Sequence, residues 1–378
     1  MNLGKVKKDI KNVVVYGFGN VGQKCITRIR NDFNILVIID NDVEKQGIYD
    51  GKIRIEGESF IKSIEEDFYI LVMTGGKQYN RISENLIRQG YKEYEDFCDI
   101  ETFIAAWYWE CKKENCLLEV HTAVTMKCTF RCKNCNMFIP YYKEFPTYSL
   151  AELKLQYDML FQYVDYIFSV TILGGEPLLY KELGELLLYL KQEYGKRIGT
   201  LNIISNGGIS PSEKLLDVLK ETDTLVYISD YTKQIAYKDK LNQVESVLQE
   251  KGIRYWTRAS LEWKDFGFPI CKPEIDAHNS TDHMKYCSPL FHGLNDYCFY
   301  YCHVAWSAEK AGLWELREDD YIDLRELSDT EKDKRSIIRH ALGMIEGGSV
   351  SLCNMCGGCG ADNKISVPAA LQVKNECV

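Results

Sequence analysis

The sequence predicts a mixed α/β protein in three parts: an N-terminal doubly wound parallel sheet over 1–112, a central partial (β/α)6 barrel over 113–265, and a small irregular C-terminal domain over 266–378. Three observations predict this. β-branched apolar runs alternate with amphipathic helical patterns in two successive series, the pattern of parallel strands joined by crossover helices. A charged connector, "ECKKEN" (110–115), separates the series. From about residue 261 the periodicity stops and Cys, Trp, Tyr and Gly accumulate, as where bound metal replaces part of a core.

In the first series, "NVVVYGFGNVGQKCITRIR" (12–30) reads as a buried strand, a glycine turn and an amphipathic helix. "NILVIIDND" (34–42) is a second strand ending in Asp40, and "DFYILVMTGG" (67–76) a third, followed by the helical "YNRISENLIRQGY". The segment "IETFIAAWYW" (100–109) leads helically into the connector. In the second series the strands are "LLEVHTAVT", "YIFSVTIL", "TLNIIS", "TLVYIS" and "IRYWTR", with helical patterns around 149–163, 181–194, 211–221 and 234–251.

Composition excludes several classes. With 46 Lys and Arg against 55 Asp and Glu, net charge −9, no basic surface is available for nucleic-acid phosphates. No apolar run approaches the ~20 residues that span a bilayer. The N-terminus passes from a short basic segment directly into a strand, without the apolar region of a signal peptide, so a cytoplasmic protein is expected. In that compartment fifteen cysteines point to metal or redox chemistry rather than disulfides.

The cysteines cluster. Cys128, Cys132 and Cys135 follow directly on the first strand of the second series, at the C-terminal mouth where active sites of β/α folds lie. Three thiolates on one loop suit a 4Fe-4S cube with one iron left open; a closed zinc site wants four ligands and fits less well. At the end of the next strand stands "LGGEP" (173–177), with Gly174, Gly175 and Glu176, and after the third "ISNGG", with Ser205 and Asn206.

C-x3-C-x2-C after the first barrel strand, GGE after the second and a polar pair after the third resemble the radical S-adenosylmethionine (SAM) superfamily over about residues 117–260. The resemblance implies that Cys128, Cys132 and Cys135 hold a 4Fe-4S cluster. It places Gly174, Gly175, Glu176, Ser205 and Asn206 against SAM, with Glu176 receiving the SAM ammonium. It also implies a flavodoxin- or ferredoxin-type electron donor and a 5'-deoxyadenosyl radical that takes hydrogen from an unactivated carbon. The family commonly carries an aromatic residue before the third cysteine; here Asn134 stands there, so Phe130 or Phe138 is expected near the adenine.

A second group comprises Cys287, Cys298, Cys302, Cys353, Cys356 and Cys359. It resembles the twitch or SPASM extensions of the same superfamily, which implies an auxiliary 4Fe-4S cluster held by Cys287, Cys302, Cys353 and Cys356; four thiolates would also suit structural zinc. Cys298 and Cys359 are then alternates, or, with Cys271, candidate hydrogen donors to a substrate radical.

At the N-terminus, Gly17, Gly19 and Gly22 form G-x-G-x-x-G between strand and helix, with Asp40 ending the next strand where it could meet a ribose hydroxyl. The pattern resembles small Rossmann-like modules of surface-polysaccharide enzymes, which implies a nucleotide sugar, with NAD or a purely structural role as alternatives. Around the barrel mouth, Asp230, Tyr231, Arg258, Trp263 and Asp265 are candidate substrate contacts, suited to sugar hydroxyls, ring faces and a phosphate or carboxylate. The function expected is hydrogen abstraction from a sugar carbon, nucleotide-linked or glycan-linked, for epimerisation, dehydrogenation or dehydration. The alternatives are a peptide-maturing enzyme of the same chemistry and a non-catalytic metal and nucleotide sensor.

Overall fold

The computed structural model describes residues 3–74, 76–267, 279–287, 291–360 and 362–373. The chain divides into two compact units, Met1–Leu118 with Val164–Phe168, and Glu119–Tyr163 with Ser169–Val378.

The first unit is built from β1 (Asn12–Tyr16), α1 (Asn20–Asp32), β2 (Asn34–Ile39), β3 (Tyr49–Asp50), β4 (Ile53–Glu56), β5 (Tyr69–Val72), α2 (Gly76–Arg88) and β6 (Phe97–Asp99). Its sheet runs β3-β4-β2-β1-β5-β6. Every neighbouring pair is parallel except β3 with β4. Val13, Val14 and Val15 of β1 are fully buried, as in a central strand covered on both faces. α1 buries Gly22, Cys25, Ile26 and Ile29, one stripe at helical spacing.

Asp99 then caps α3 (Ile100–Phe103), accepting the Thr102 N–H at 2.8 Å. A π turn, Ile104–Tyr108, continues into α4 (Trp109–Lys112). Phe103 and Trp107 stack at 5.8 Å, and Trp107 lies 4.5 Å from Phe33. The helix stops at Lys113, whose φ of 60° ends the helical ladder.

Four β/α repeats and a fifth strand follow: β7 (Cys116–Thr125), α5 (Leu150–Tyr163), β8 (Tyr166–Gly174), α6 (Leu183–Tyr194), β9 (Ile198–Ser205), α7 (Glu213–Glu221), β10 (Leu225–Asp230), α8 (Lys238–Glu250) and β11 (Tyr255–Ala259). Beyond them come β12 (Glu262–Lys264), α9 (Ser280–Cys287), β13 (Gly293–Asn295), β14 (Cys298–Tyr300), α10 (His303–Lys310), β15 (Tyr321–Asp323), α11 (Glu331–Ala341) and β16 (Ser366–Pro368). The large sheet has the order β11-β10-β9-β8-β7-β13-β14-β15, and β12 pairs separately with β16. Among the described residues no helix is long and apolar enough to cross a membrane.

Two expectations change here. The sixth parallel position is not filled by another β/α unit after β11. β13 fills it at the opposite edge, pairing with β7 through Gly293 and His121. The cysteine-rich segment also does not separate as a third domain. Trp306, Cys298, Leu352 and Cys356 share one buried cluster with Met126, Phe138 and Tyr142 of the barrel segment. A short segment with little apolar surface of its own completes its core on its neighbour.

Asn295 makes that junction. Its side-chain amide continues the β13–β7 pairing beyond Gly293, donating to the Ala123 carbonyl at 2.9 Å and accepting the Ala123 N–H at 3.0 Å, while His303 Nε2 lies 2.8 Å from the same oxygen. All three residues are buried. Asn295→Leu leaves the Ala123 amide unpaired in the core, so a loss of about 2–4 kcal/mol is expected, measured as a lowered calorimetric or denaturant midpoint.

Candidate active site at the strand ends

The exits of β7 and β8 are pressed together. The Gly175 N–H donates to the Thr125 carbonyl and the Glu176 N–H to the Lys127 carbonyl, each at 2.8 Å. A Cβ on Gly174 would stand 2.0 Å from the Thr125 oxygen, and one on Gly175 would stand 2.3 Å from the Lys127 oxygen. Gly174 also has φ +149°. Only glycine permits this approach, and it sets the start of the loop that carries Cys128.

Glu176 is fully buried. One carboxylate oxygen accepts the Asn206 N–H at 2.8 Å and the other the Leu178 N–H at 3.2 Å. Burial pushes its pKa up to about 7, against the lowering effect of the two amides and the Ser205 hydroxyl. It does not line the cavity described below. Its carboxylate braces the β8 exit against the β9 exit, and the backbones of Gly174 and Gly175 face the open space instead. On the β9 side, Ser205 Oγ accepts the Gly207 N–H at 3.0 Å. Tyr237, which the sequence did not single out, donates its hydroxyl to the Asn206 carbonyl at 3.0 Å and accepts the Tyr231 N–H at 2.9 Å.

These exits enclose a cavity of about 540 Å³, within the range of small-molecule sites. Cys128, Cys132 and Cys135 line one end, with Gly174, Gly175, Ser205 and Asn206 beside them. N–H groups aim at the sulfurs: Phe130 N–H and Asn206 Nδ2 at Cys128, 3.5 and 3.6 Å away, and Gln372 Nε2 at Cys132, 3.3 Å away. Sulfurs that act as acceptors are what a cluster-bound thiolate requires, so the donor set fits a 4Fe-4S cube. Among the described residues no group of His, Cys, Asp and Glu is gathered as for a single metal ion; one iron per thiolate spaces the ligands more widely. Of the two aromatic candidates, Phe130 lines the cavity, packing edge-on to Tyr237 at 5.2 Å. Phe138 differs from expectation: it is buried in the core cluster and does not line the cavity.

Tyr231, Arg258 and Trp263 also line the cavity, with Tyr231 edge-on to Trp263 at 5.5 Å and to Phe130 of the cysteine loop at 6.5 Å. Asp230 and Asp265 are not among the lining residues. Each turns its carboxylate to a local amide, Asp230 to Thr232 N–H at 2.7 Å and Asp265 to Gly267 N–H at 2.8 Å, as Asx turns do. The sequence reading missed Glu262 and Lys264, which β12 brings to the same cavity by pairing with β16. A three-residue strand is too short for its alternation to register.

A second, small cavity is surrounded by Cys287, Cys302, Cys353, Cys356 and Cys359, with His283 among them. The expected four thus converge, and a fifth joins them: Cys359 Sγ lies 3.6 Å from Cys287 Sγ and also lines the larger cavity. Cys298 does not belong to either lining. It is buried in β14 with its thiol on the Asp296 carbonyl at 3.4 Å, so it is misplaced for delivering hydrogen to the cavity. Cys271 lies outside the described residues.

In the first unit, Gly17 and Gly22 are demanded by packing. A Cβ on Gly17 would meet Thr74 Cγ2 at 2.6 Å, and one on Gly22 the Gly17 oxygen at 2.4 Å, whereas one on Gly19 meets nothing within 4 Å. Asp40 is already engaged, accepting the Phe18 and Asp42 N–H groups at 2.8 and 2.9 Å and pairing with Lys45 at 3.1 Å. Burial opposes its charge, but those two amides and Lys45 hold its pKa below the usual range.

Known proteins bear on both units. Residues 122–230 match the family model of the radical SAM superfamily, and residues 9–96 match one described as C2185-like, N-terminal. No curated protein matches the chain. Among solved structures, Streptococcus suis SuiB bound to S-adenosylmethionine is 19% identical over 40% of this chain and 34% of its own, with TM-score 0.31. The anSMEcpe structure with AdoMet and the Cp18Cys peptide is 13% identical over 45% and 58%, with TM-score 0.33. BtrN in complex with AdoMet and 2-DOIA is 21% identical over 38% and 58%, with TM-score 0.30. The chain thus spans between 34% and 58% of the length of these chains. The matched segment contains the three loop cysteines, the paired glycines and Asn206, the residues that build the cluster end of the cavity. Residues 122–230 are thus a radical SAM domain.

Proposed function

We propose that the chain abstracts hydrogen from a carbon of a sugar, presented as a nucleotide-linked or glycan-linked molecule, leading to epimerisation, dehydrogenation or dehydration. The observation that carries this is the lining the cavity has besides its cysteines and glycines: Tyr231 and Trp263 offer ring faces and edges, and Arg258, Glu262 and Lys264 offer charge of both signs. Aromatic rings with flanking hydrogen-bond donors and acceptors suit a polyhydroxylated ring, and a guanidinium suits an attached phosphate or carboxylate.

A 4Fe-4S cluster held by the cysteine loop would supply one-electron reduction of bound SAM. The chain's own part is positional. Cys128, Cys132 and Cys135 would hold three irons, the Gly174 and Gly175 backbones would receive the methionine end of SAM, and Ser205 and Asn206 would flank its carboxylate or ribose. Glu176, behind them, keeps the second and third strand exits in register. Phe130 would pack near the adenine. Cys287, Cys302, Cys353 and Cys356 would hold an auxiliary cluster, with Cys359 the thiol between that site and the substrate space. There it could serve as an alternate ligand or as a hydrogen donor.

Anaerobically reconstituted protein is expected to carry about eight irons per chain, four per cube. Replacing Cys128, Cys132 and Cys135 by Ala removes about four and abolishes 5'-deoxyadenosine formation with dithionite; four irons with one zinc would remove the auxiliary cluster. Arg258→Ala and Trp263→Ala are expected to leave dithionite-driven 5'-deoxyadenosine formation intact and to weaken substrate binding about tenfold or more, read as lost thermal shifts across a panel of nucleotide sugars, sugars and peptides. A panel in which only peptides shift the protein would replace the sugar reading. A nucleotide-sugar shift abolished by Gly19→Trp, at the one turn glycine with open space beside it, would place the nucleotide in the first unit; a shift that survives leaves that turn a structural one.

A further inference from the structure

The run from Ser366 to Val373 serves two parts of the site. Ser366–Pro368, as β16, pairs antiparallel with β12, whose Trp263 and Lys264 wall the cavity. The chain then bends at Ala370, φ +55°, and meets the cysteine loop. Cys132 and Gln372 form an antiparallel bridge. The Lys133 N–H donates to the Leu371 carbonyl at 2.6 Å, and the Val373 N–H to the Arg131 carbonyl at 2.8 Å. Ala369 and Ala370 are fully buried, so this strap is packed rather than loosely applied.

Gln372 uses both ends of its side chain. Oε1 accepts the Arg131 N–H at 2.8 Å. Nε2 donates to Cys132 Sγ at 3.3 Å and to the Ala370 carbonyl at 2.8 Å. The thiol it reaches is itself buried, 7% exposed, so water does not supply that bond instead.

We propose that Gln372 is a positioning residue for the SAM-binding cluster: it orients the Cys132 thiolate and, through its N–H···S bond, favours the reduced state of the cluster. The proposal rests on the radical SAM reading of the loop. Reduction adds negative charge that is shared with the thiolate sulfurs, and a hydrogen bond to an acceptor strengthens as that acceptor gains charge. The strap thereby ties the substrate wall and the cluster loop to one stretch of chain.

The test is a redox titration of the full, anaerobically reconstituted protein, following the EPR signal that changes when SAM is added, in wild type, Gln372→Leu and Gln372→Glu. The second variant keeps an acceptor for the Arg131 N–H but replaces the N–H donor with a carboxylate facing sulfur. Both are expected to retain a SAM-sensitive signal. At a fixed solution potential the ratio of reduced to oxidised cluster should fall roughly three- to tenfold in the Leu variant, and further in the Glu variant. A signal lost in Leu and regained, at the more negative potential, in Glu supports the same role. Unchanged potentials in both variants at full iron content overturn it, as does loss of the signal from both, which would make Gln372 a purely structural residue. Absence of any SAM-sensitive signal in wild type would instead overturn the radical SAM reading.

Discussion

The contact on which the site depends is backbone against backbone: Gly174 and Gly175 lie against the carbonyls of Thr125 and Lys127, with no room for a Cβ. That approach brings the exit of one parallel strand onto the exit of its neighbour. The cysteine loop leaves from one of them and the Glu176 brace from the other. Because Glu176 reaches on to the Asn206 amide, three successive strand ends become one rigid rim. A cluster and its ligand need this rigidity, since reacting atoms must be held in place rather than found by diffusion.

Elsewhere in each unit, buried polar groups serve register rather than chemistry. Asn295 of β13 extends the pairing with β7 through its side chain at Ala123, Tyr237 ties the third exit to the fourth, and Asp40 secures its own glycine turn. Each is a buried or half-buried group with its hydrogen bonds met, which is the condition for keeping polar atoms in a core at all. The same logic bears on Glu176, expected from the sequence to receive the SAM ammonium. A carboxylate whose two oxygens already accept two amides is a brace first, and its raised pKa follows from burial without a cationic side chain among the groups that bond it.

Much of the architecture was legible in the order of strands and helices. All five strands and four helical patterns of the second series occur within a few residues of where periodicity places them, since period 2 and period 3.6 are local properties. The cluster cysteines, paired glycines and Ser205–Asn206 were legible for a related reason: they are short motifs at strand ends, and the strand ends of a parallel sheet meet on one side. Asp230 and Asp265 look equally suitable in sequence and are not on the wall, because a side chain two residues from a turn amide caps that turn.

By itself, the sequence determined the two α/β series, the loop with three thiols, and the cysteines that gather into the second site. Only the tertiary structure decided which cysteine of the second group stands apart, that Glu262 and Lys264 line the cavity, and that Gln372, 240 residues from Cys132, reaches its sulfur. It also decided that the sixth parallel strand comes from beyond β11 to the far edge of β7. The physical reason is the same in each case. Period and motif report what a residue's chain neighbours require, whereas contacts between residues far apart in the chain are set by which surfaces remain to be buried once the local elements have formed.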